Sequence, residues 1–300
     1  MPQPDQAMNS SQFDSAPVLV AAFPFDVRPG EVQQNTQEVL KAVDQAAAAG
    51  ARLLLLPEKW PTSFLPSFSD QDRQASEEAL ETVHRRARDL DLHVVGSAPG
   101  GGGAKPFNEL HLLGPGGPLR PYRKRMLFSP AGEGRQCQAG GEAPELFSLP
   151  WAKLFGLICY DLRFPEITRP AFYQEADLMV VPAQWPHPRT EVFELMARAR
   201  AAENQMWLLA CNRSGEASLG RQLMRFPGTA MLVDPLGEIV ARRDDGGLLL
   251  AEVDFARIGE VRRRVPCARD LKKAGLWPES KQKSGLFSCP KGEAGAVDLE

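Results

Sequence analysis

Lys153-Leu-Phe-Gly-Leu-Ile-Cys159-Tyr-Asp-Leu-Arg-Phe-Pro-Glu166 reads as a buried strand that stops at a thiol. Residues 154–158 are apolar apart from one glycine, the pattern of a strand covered on both faces. Polar residues and a proline follow at once. A strand ending in a reactive side chain, then a turn and a helix begun by Pro165, holds that side chain at the carboxyl edge of a sheet, where open α/β folds place their ligand crevice. The competing reading is a core thiol, because free cysteine packs as a small hydrophobe.

Outward from this run, strand and helix patterns alternate. Apolar strands are expected at 18–23, 53–56, 93–97, 109–113, 146–149, 178–181, 206–210 and 248–253. Helices are expected at 31–49 with Gly50 as its stop, at 75–90, from Pro165, and at 191–204. Residues 231–233 and 239–241 flank the turn Asp234-Pro235-Leu236-Gly237, a hairpin signal. Residues 100–103 are four glycines without the spacing of a phosphate loop, and so a surface loop. After the last strand the chain reads as an extended basic segment. The alternation predicts an α/β fold, with residues 17–275 as one domain, residues 1–16 as a mobile tail and 276–300 as a flexible C-terminal tail.

A chain of 300 residues, 43% hydrophobic, can bury a large core without staples. A net charge of −3 supplies no concentrated basic face, so neither nucleic acid nor an anionic membrane is an expected partner. No apolar run approaches the roughly 20 residues of a membrane span. Five widely spaced cysteines, none in C-x-x-C, suggest reduced thiols in the cytoplasm rather than a disulfide framework or zinc site. The four histidines show no ligand spacing, and no metal or organic cofactor is expected.

Two segments align without gaps: Ala51-Arg-Leu-Leu-Leu-Leu-Pro57-Glu58-Lys59-Trp60-Pro61 and Ala176-Asp-Leu-Met-Val-Val-Pro182-Ala183-Gln184-Trp185-Pro186. Either the chain holds two related halves, or two buried strands happen to leave through Pro and Trp. If the halves are related, Glu58 and Ala183 are equivalent, and only one copy carries an acid.

An acid at a strand end (Glu58), a lysine in the cluster Tyr122-Arg123-Lys124-Arg125 and the thiol Cys159 together supply what acyl transfer needs. A thiol with an ordinary pKa of about 8.5 is a poor nucleophile unless a base takes its proton or a cation stabilises the thiolate. Each residue has a bland alternative. Glu58 can cap a helix or pair with Lys59, although four leucines and a proline make an expensive setting for a lone charge; basic clusters such as that around Lys124 are commonly solvated.

The order of motifs resembles the nitrilase superfamily of carbon-nitrogen hydrolases. The resemblance spans about residues 18–272. It rests on Pro57-Glu58, Tyr122-Arg-Lys124-Arg, Ala131-Gly-Glu133, the run from Cys159 to Glu166, Arg198-Ala-Arg-Ala-Ala-Glu203-Asn204-Gln205, and Phe226-Pro-Gly228 through Asp234-Pro235-Leu-Gly237. It implies a four-layer α-β-β-α sandwich with internal pseudo-symmetry that pairs into homodimers. It implies Glu58 as general base, Lys124 as oxyanion-stabilising lysine, Cys159 as nucleophile and Glu133 as a second glutamate that positions substrate and supports the lysine. The backbone N–H of Tyr160 is expected beside the oxyanion, and Trp185 at the pocket or as an exit-loop anchor.

Within the superfamily the Cys159 run and the Asn204-Gln205 tract are similar to the omega-amidase-like bacterial branch. The expected reaction is therefore hydrolysis of a primary amide of a small acid, mono- or dicarboxylic, through a Cys159 thioester. Nitrile or N-carbamoyl hydrolysis, a Cys-His hydrolase using His187, and a catalytically silent scaffold are the alternatives. Two departures bear on pocket or packing: Met126 stands where relatives often carry histidine, and Cys137-Gln138 replaces a frequent aromatic.

Overall fold

The computed structural model describes residues 16–103, 105–117, 121–219 and 222–278. In chain order the elements are β1 (Val18–Ala22), α1 (Val32–Ala48), β2 (Leu53–Leu55), α2 (Asp70–Asp89), β3 (His93–Gly100), β4 (Phe107–Leu113), β5 (Tyr122–Arg123), β6 (Leu146–Leu149) and β7 (Ala152–Gly156). There follow α3 (Pro165–Thr168), α4 (Pro170–Tyr173), β8 (Leu178–Ala183), α5 (Thr190–Asn204), β9 (Trp207–Asn212) and the hairpin β10 (Ser214–Leu219) and β11 (Gln222–Pro227). The chain then runs through β12 (Ala230–Val233), β13 (Ile239–Arg243), β14 (Leu249–Val253), α6 (Ala256–Arg264) and α7 (Cys267–Lys273).

Two six-stranded sheets result, with orders β14-β1-β2-β3-β4-β5 and β6-β7-β8-β9-β12-β13. Read in these orders, successive pairings are antiparallel, parallel, parallel, antiparallel, antiparallel in both sheets. Under this pseudo-symmetry β2 corresponds to β8, the two segments that align in sequence. The hairpin β10–β11 has no counterpart in the first half.

Strand alternation distributes the apolar runs between two interiors. Leu53 and Leu55 join Val20, Val95, Leu154, Leu178 and Val180 between the sheets. Leu54 and Leu56 face outward, among Val39 and Val43 of α1 and Leu80 and Val83 of α2. Helix α5 covers the second sheet through Phe193, Ala197 and Ala201. The layers are therefore helix, sheet, sheet, helix, as expected from the resemblance.

Three local readings needed correction. Helix α2 begins at Asp70, not Ala75, because Ser69 accepts from Asp72 N at 3.1 Å while the Asp72 carboxylate accepts from Ser69 N at 2.8 Å. The hairpin β10–β11 went unread, since its strands lack clean apolar alternation. The segment read as extended and basic is helical: Ile258 and Val261, three apart, bury one face of α6, and Arg262, Arg263 and Arg264 close its last turn. Ser15 and the residues before it, and residues 279–300, fall outside the described residues; within the described end, Trp277 packs on Phe172 and Tyr173.

Candidate active site

The site lies on the carboxyl ends of β2, β7 and β8, where the two halves meet. Glu58 follows β2 and is fully buried. Its Oε1 accepts from Lys124 Nζ at 2.7 Å and from Asn108 Nδ2 at 2.8 Å, and its Oε2 accepts from the backbone N–H of Gln184 at 3.1 Å. Lys124 follows β5, and its N–H bonds Asn108 O at 2.9 Å, so the β4–β5 ladder sets its place. Glu133, on a 3₁₀ turn entered through Gly132 at φ 68°, accepts from Lys124 Nζ at 2.8 Å and from Phe128 N at 2.7 Å.

A second lysine joins this group. Lys59 Nζ stands 3.3 Å from Glu133 Oε1, donates to Cys137 Sγ at 3.3 Å, and lies 3.9 Å from the centroid of the Phe64 ring. Glu58, Lys59, Lys124 and Glu133 are each at most 1% exposed. Two acids and two lysines thus form a buried quartet whose formal charges cancel, the condition under which ionised groups tolerate a dry interior.

The electrostatics follow from that arrangement. Burial works against ionisation of Glu133, but Lys124, Lys59 and its hydrogen bonds overcome it and hold the carboxyl at about 2. Burial also opposes the charge of Lys124, and the carboxylates of Glu133 and Glu58 drive its pKa well above the ordinary lysine value. The Cys159 thiol is pushed well above its ordinary range, first by burial and then by the charge of Glu58, against the pull of Lys124 and the Gln184 N–H. Cys159 therefore rests as a thiol beside a carboxylate, not as a preformed thiolate.

Cys159 opens a 3₁₀ turn, Cys159–Arg163, in a left-handed conformation at φ 47° that few non-glycine residues adopt. The turn is clamped from both sides. Buried Asp161 accepts from Tyr122 OH at 2.9 Å, Met126 N at 2.9 Å and Ile158 N at 3.2 Å. Burial lifts its pKa to about 6 against these donors and Lys124. From α5, Arg200 donates to Leu162 O and to Arg163 O, each at 3.0 Å. Met126 packs partly buried against the inter-sheet core, so the departure from histidine is accommodated by packing of the lysine segment.

Cys159 is at one wall of a small, partly open cavity lined also by Phe128, Tyr160, Gln184, Trp185 and two arginines, Arg163 and Arg189. The Tyr160 ring meets Phe128 and Phe164 edge-on. Trp185 donates from Nε1 to Arg189 O at 2.8 Å and stacks under the Arg163 guanidinium at 5.4 Å. All six residues singled out from sequence thus converge: Glu58, Lys124 and Glu133 behind the thiol, Tyr160 and Trp185 beside it. His187 is exposed, meets Thr190 at 3.5 Å and does not line the cavity, which removes the geometric basis for a Cys-His pair. Among the described residues no group of three His, Cys, Asp or Glu can hold a metal ion.

Sequence reasoning missed Asn108, Gln184, Lys59 and the two arginines. Gln184 donates from Nε2 to Glu58 O at 2.6 Å and accepts from buried Arg213 at 3.2 Å. The available signal was positional: Gln184 and Lys59 are aligned in the two repeated segments, and Asn108 is a lone amide at the head of an apolar strand.

The sequence matches the family model for carbon-nitrogen hydrolases over residues 19–263. The chain belongs to the carbon-nitrogen hydrolase family. Among carbon-nitrogen hydrolases it is similar to the 2-oxoglutaramate amidase of Bacillus subtilis, 30% identical over 85% of this chain and 97% of that protein. It is also similar to the deaminated glutathione amidase of a Synechocystis strain, 32% identical over 83% and 96%. The crystal structure of an amidase from Nesterenkonia sp. superposes with a TM-score of 0.73 at 27% identity, covering 87% of this chain and 99% of that one. A variant of the Nesterenkonia sp. AN1 amidase, 28% identical, shows covalent addition of the acetamide moiety of fluoroacetamide at its active-site cysteine.

Proposed function

We propose that this carbon-nitrogen hydrolase hydrolyses the primary amide of a small dicarboxylic acid, 2-oxoglutaramate being the representative substrate. The observation that carries the reading is the pairing of Cys159 with Arg163 and Arg189 around one small cavity. An arginine guanidinium suits a carboxylate, and two of them share the cavity wall with the thiol. The names of the amidase relatives point to the same chemistry.

Glu58 takes the proton from the Cys159 thiol as sulfur attacks the amide carbonyl. The oxyanion is held by Lys124, two of whose ammonium hydrogens already serve Glu58 and Glu133, together with the backbone N–H of Tyr160. Glu58 then gives its proton to the leaving nitrogen, and ammonia departs to leave a thioester. Water, deprotonated by Glu58, attacks the thioester; the acid leaves and the thiol is restored. Glu133 keeps Lys124 in place, and Trp185 closes the side of the cavity.

The test is release of ammonia and acid from a panel of amides, nitriles and N-carbamoyl compounds. Turnover of ω-amides of dicarboxylates, with Arg163→Met raising KM for these far more than for butyramide, supports the reading. Turnover of nitriles or N-carbamoyl compounds alone sinks it, and no turnover with an unreactive Cys159 points to a scaffold. A homodimer is the assembly that the family resemblance implies, checked by sedimentation. Residues 17–275 act as one cytoplasmic domain in this reading. Among the described residues no helix is long and apolar enough to cross a membrane.

A further inference from the structure

We infer that Lys59 is a positioning residue of this site, a second cation that balances Glu133 and so leaves Lys124 and Glu58 free to act on Cys159; the inference rests on the amide-hydrolysis reading for its activity readout.

With Lys124 alone, the two buried carboxylates would leave an uncompensated negative charge in a region with no exposure to water. A dry interior rejects such a charge by binding a proton. The proton would settle on Glu58 or Glu133, and either result harms the chemistry: a protonated Glu58 is no base, and a protonated Glu133 loses its hold on Lys124. Lys59 removes the conflict, since its ammonium meets Glu133 Oε1 on the side away from Lys124, which takes Oε2.

The placement of Lys59 is built rather than incidental. Its backbone is left-handed at φ 45°, with its N–H donated to Ser97 Oγ at 2.8 Å, which turns the side chain inward straight after Glu58. The Phe64 ring, at 3.9 Å, and the Phe68 ring, at 5.6 Å, cover the ammonium. The charged and titratable groups that face it are Glu133 and Cys137 from the segment after β5, Glu58 beside it, and Lys124. Across the adjoining Ser63, Arg213 is answered by Asp26. Cys137, which takes the place of a frequent aromatic, accepts from Lys59 Nζ at 3.3 Å, so this departure is occupied by a contact to the lysine. Lys59 meets Glu133 and Cys137, whereas Glu58 and Lys124 are the charged groups that act on Cys159, so Lys59 works through Glu133.

The test compares K59M, neutral and close in volume, K59Q, neutral with a donor, and K59R, which keeps the charge. In the neutral variants both limbs of the pH profile of kcat/KM move alkaline by about one unit, so activity on the acid limb falls about tenfold while the plateau is little changed. The loss falls on kcat with KM little changed, and K59R keeps the wild-type profile. A folded K59M or K59Q with an unmoved profile overturns the inference, as does a K59R profile shifted like theirs. If both neutral variants fail to fold while K59R folds with its profile in place, the charge requirement stands; failure of all three overturns it in favour of fit. Alkylation of Cys159 by iodoacetamide, followed by peptide mass, separates this from the activity reading. Slower alkylation in K59M at pH 8 supports the role of Lys59 even if wild-type protein hydrolyses no amide, and an unchanged rate counts against it.

Discussion

Cys159 carries two burdens, a left-handed backbone and a thiol that burial and Glu58 keep protonated, and each yields an expectation at the scale of one residue. Cys159→Ala folds normally, loses at least about 10³-fold in kcat and forms no acyl adduct by mass. Glu58→Gln loses turnover to a similar degree; if it kept near-wild-type activity, Glu58 would not be the base. The acid and the thiol were legible in the sequence because each sits where an apolar strand gives way to polar residues, whereas Lys124 was picked from its basic cluster only by the order of the family's motifs. Asn108, Gln184 and Lys59 were not, because their roles come from what lies opposite them across the interface of the halves. Spacing along the chain carries no trace of such a neighbour until the two sheets are stacked.

At the scale of elements, the capping box at the head of α2 does not line the cavity, so its loss separates stability from chemistry. Ser69→Ala lowers stability by about 1 kcal/mol with kcat/KM unchanged, read by urea unfolding and assay of the same sample. Arg200 ties α5 to the turn after the thiol through two carbonyls. Arg200→Met therefore lowers kcat more than it raises KM, because the turn loosens while the cavity wall remains; an effect confined to KM would refute that link. Elements with strong apolar periodicity were legible to within a few residues. Misreadings fell where other forces set the boundary: a side-chain cap for α2, and for α6 an arginine-rich surface that hid a two-residue apolar stripe. The hairpin β10–β11 escaped since only one face is packed, through Ala217 and Phe226 against Phe64.

Over the whole molecule, the quartet and Asp161 give stability opposite dependences on pH. Glu133, held at about 2 against 4.5 when free, contributes stability above about 4.5 that is lost as pH falls toward 2. Asp161, raised from 3.8 to about 6, contributes below 3.8 and loses that contribution as pH rises through 6. The stability gap between wild type and Glu133→Gln should therefore shrink from pH 5 to pH 3, measured by denaturant midpoints; a constant gap would show that ionisation of Glu133 is not its source. The doubling was hinted at by the repeated Pro-x-x-Trp-Pro exits and the sandwich followed from the resemblance, whereas Arg213, which bridges Asp26, Ser63 and Gln184, is invisible to any local pattern. Strand β1 takes one of its two neighbours, β14, from the far end of the domain, pairing Val18 with Val253. A ribosome making this chain releases the quartet early and the thiol soon after, yet one edge of β1 stays unpaired until the final strand emerges. Over that interval the nascent first sheet offers an open edge to other chains, so the step most exposed to aggregation and most dependent on chaperones is the wait for residues 249–253.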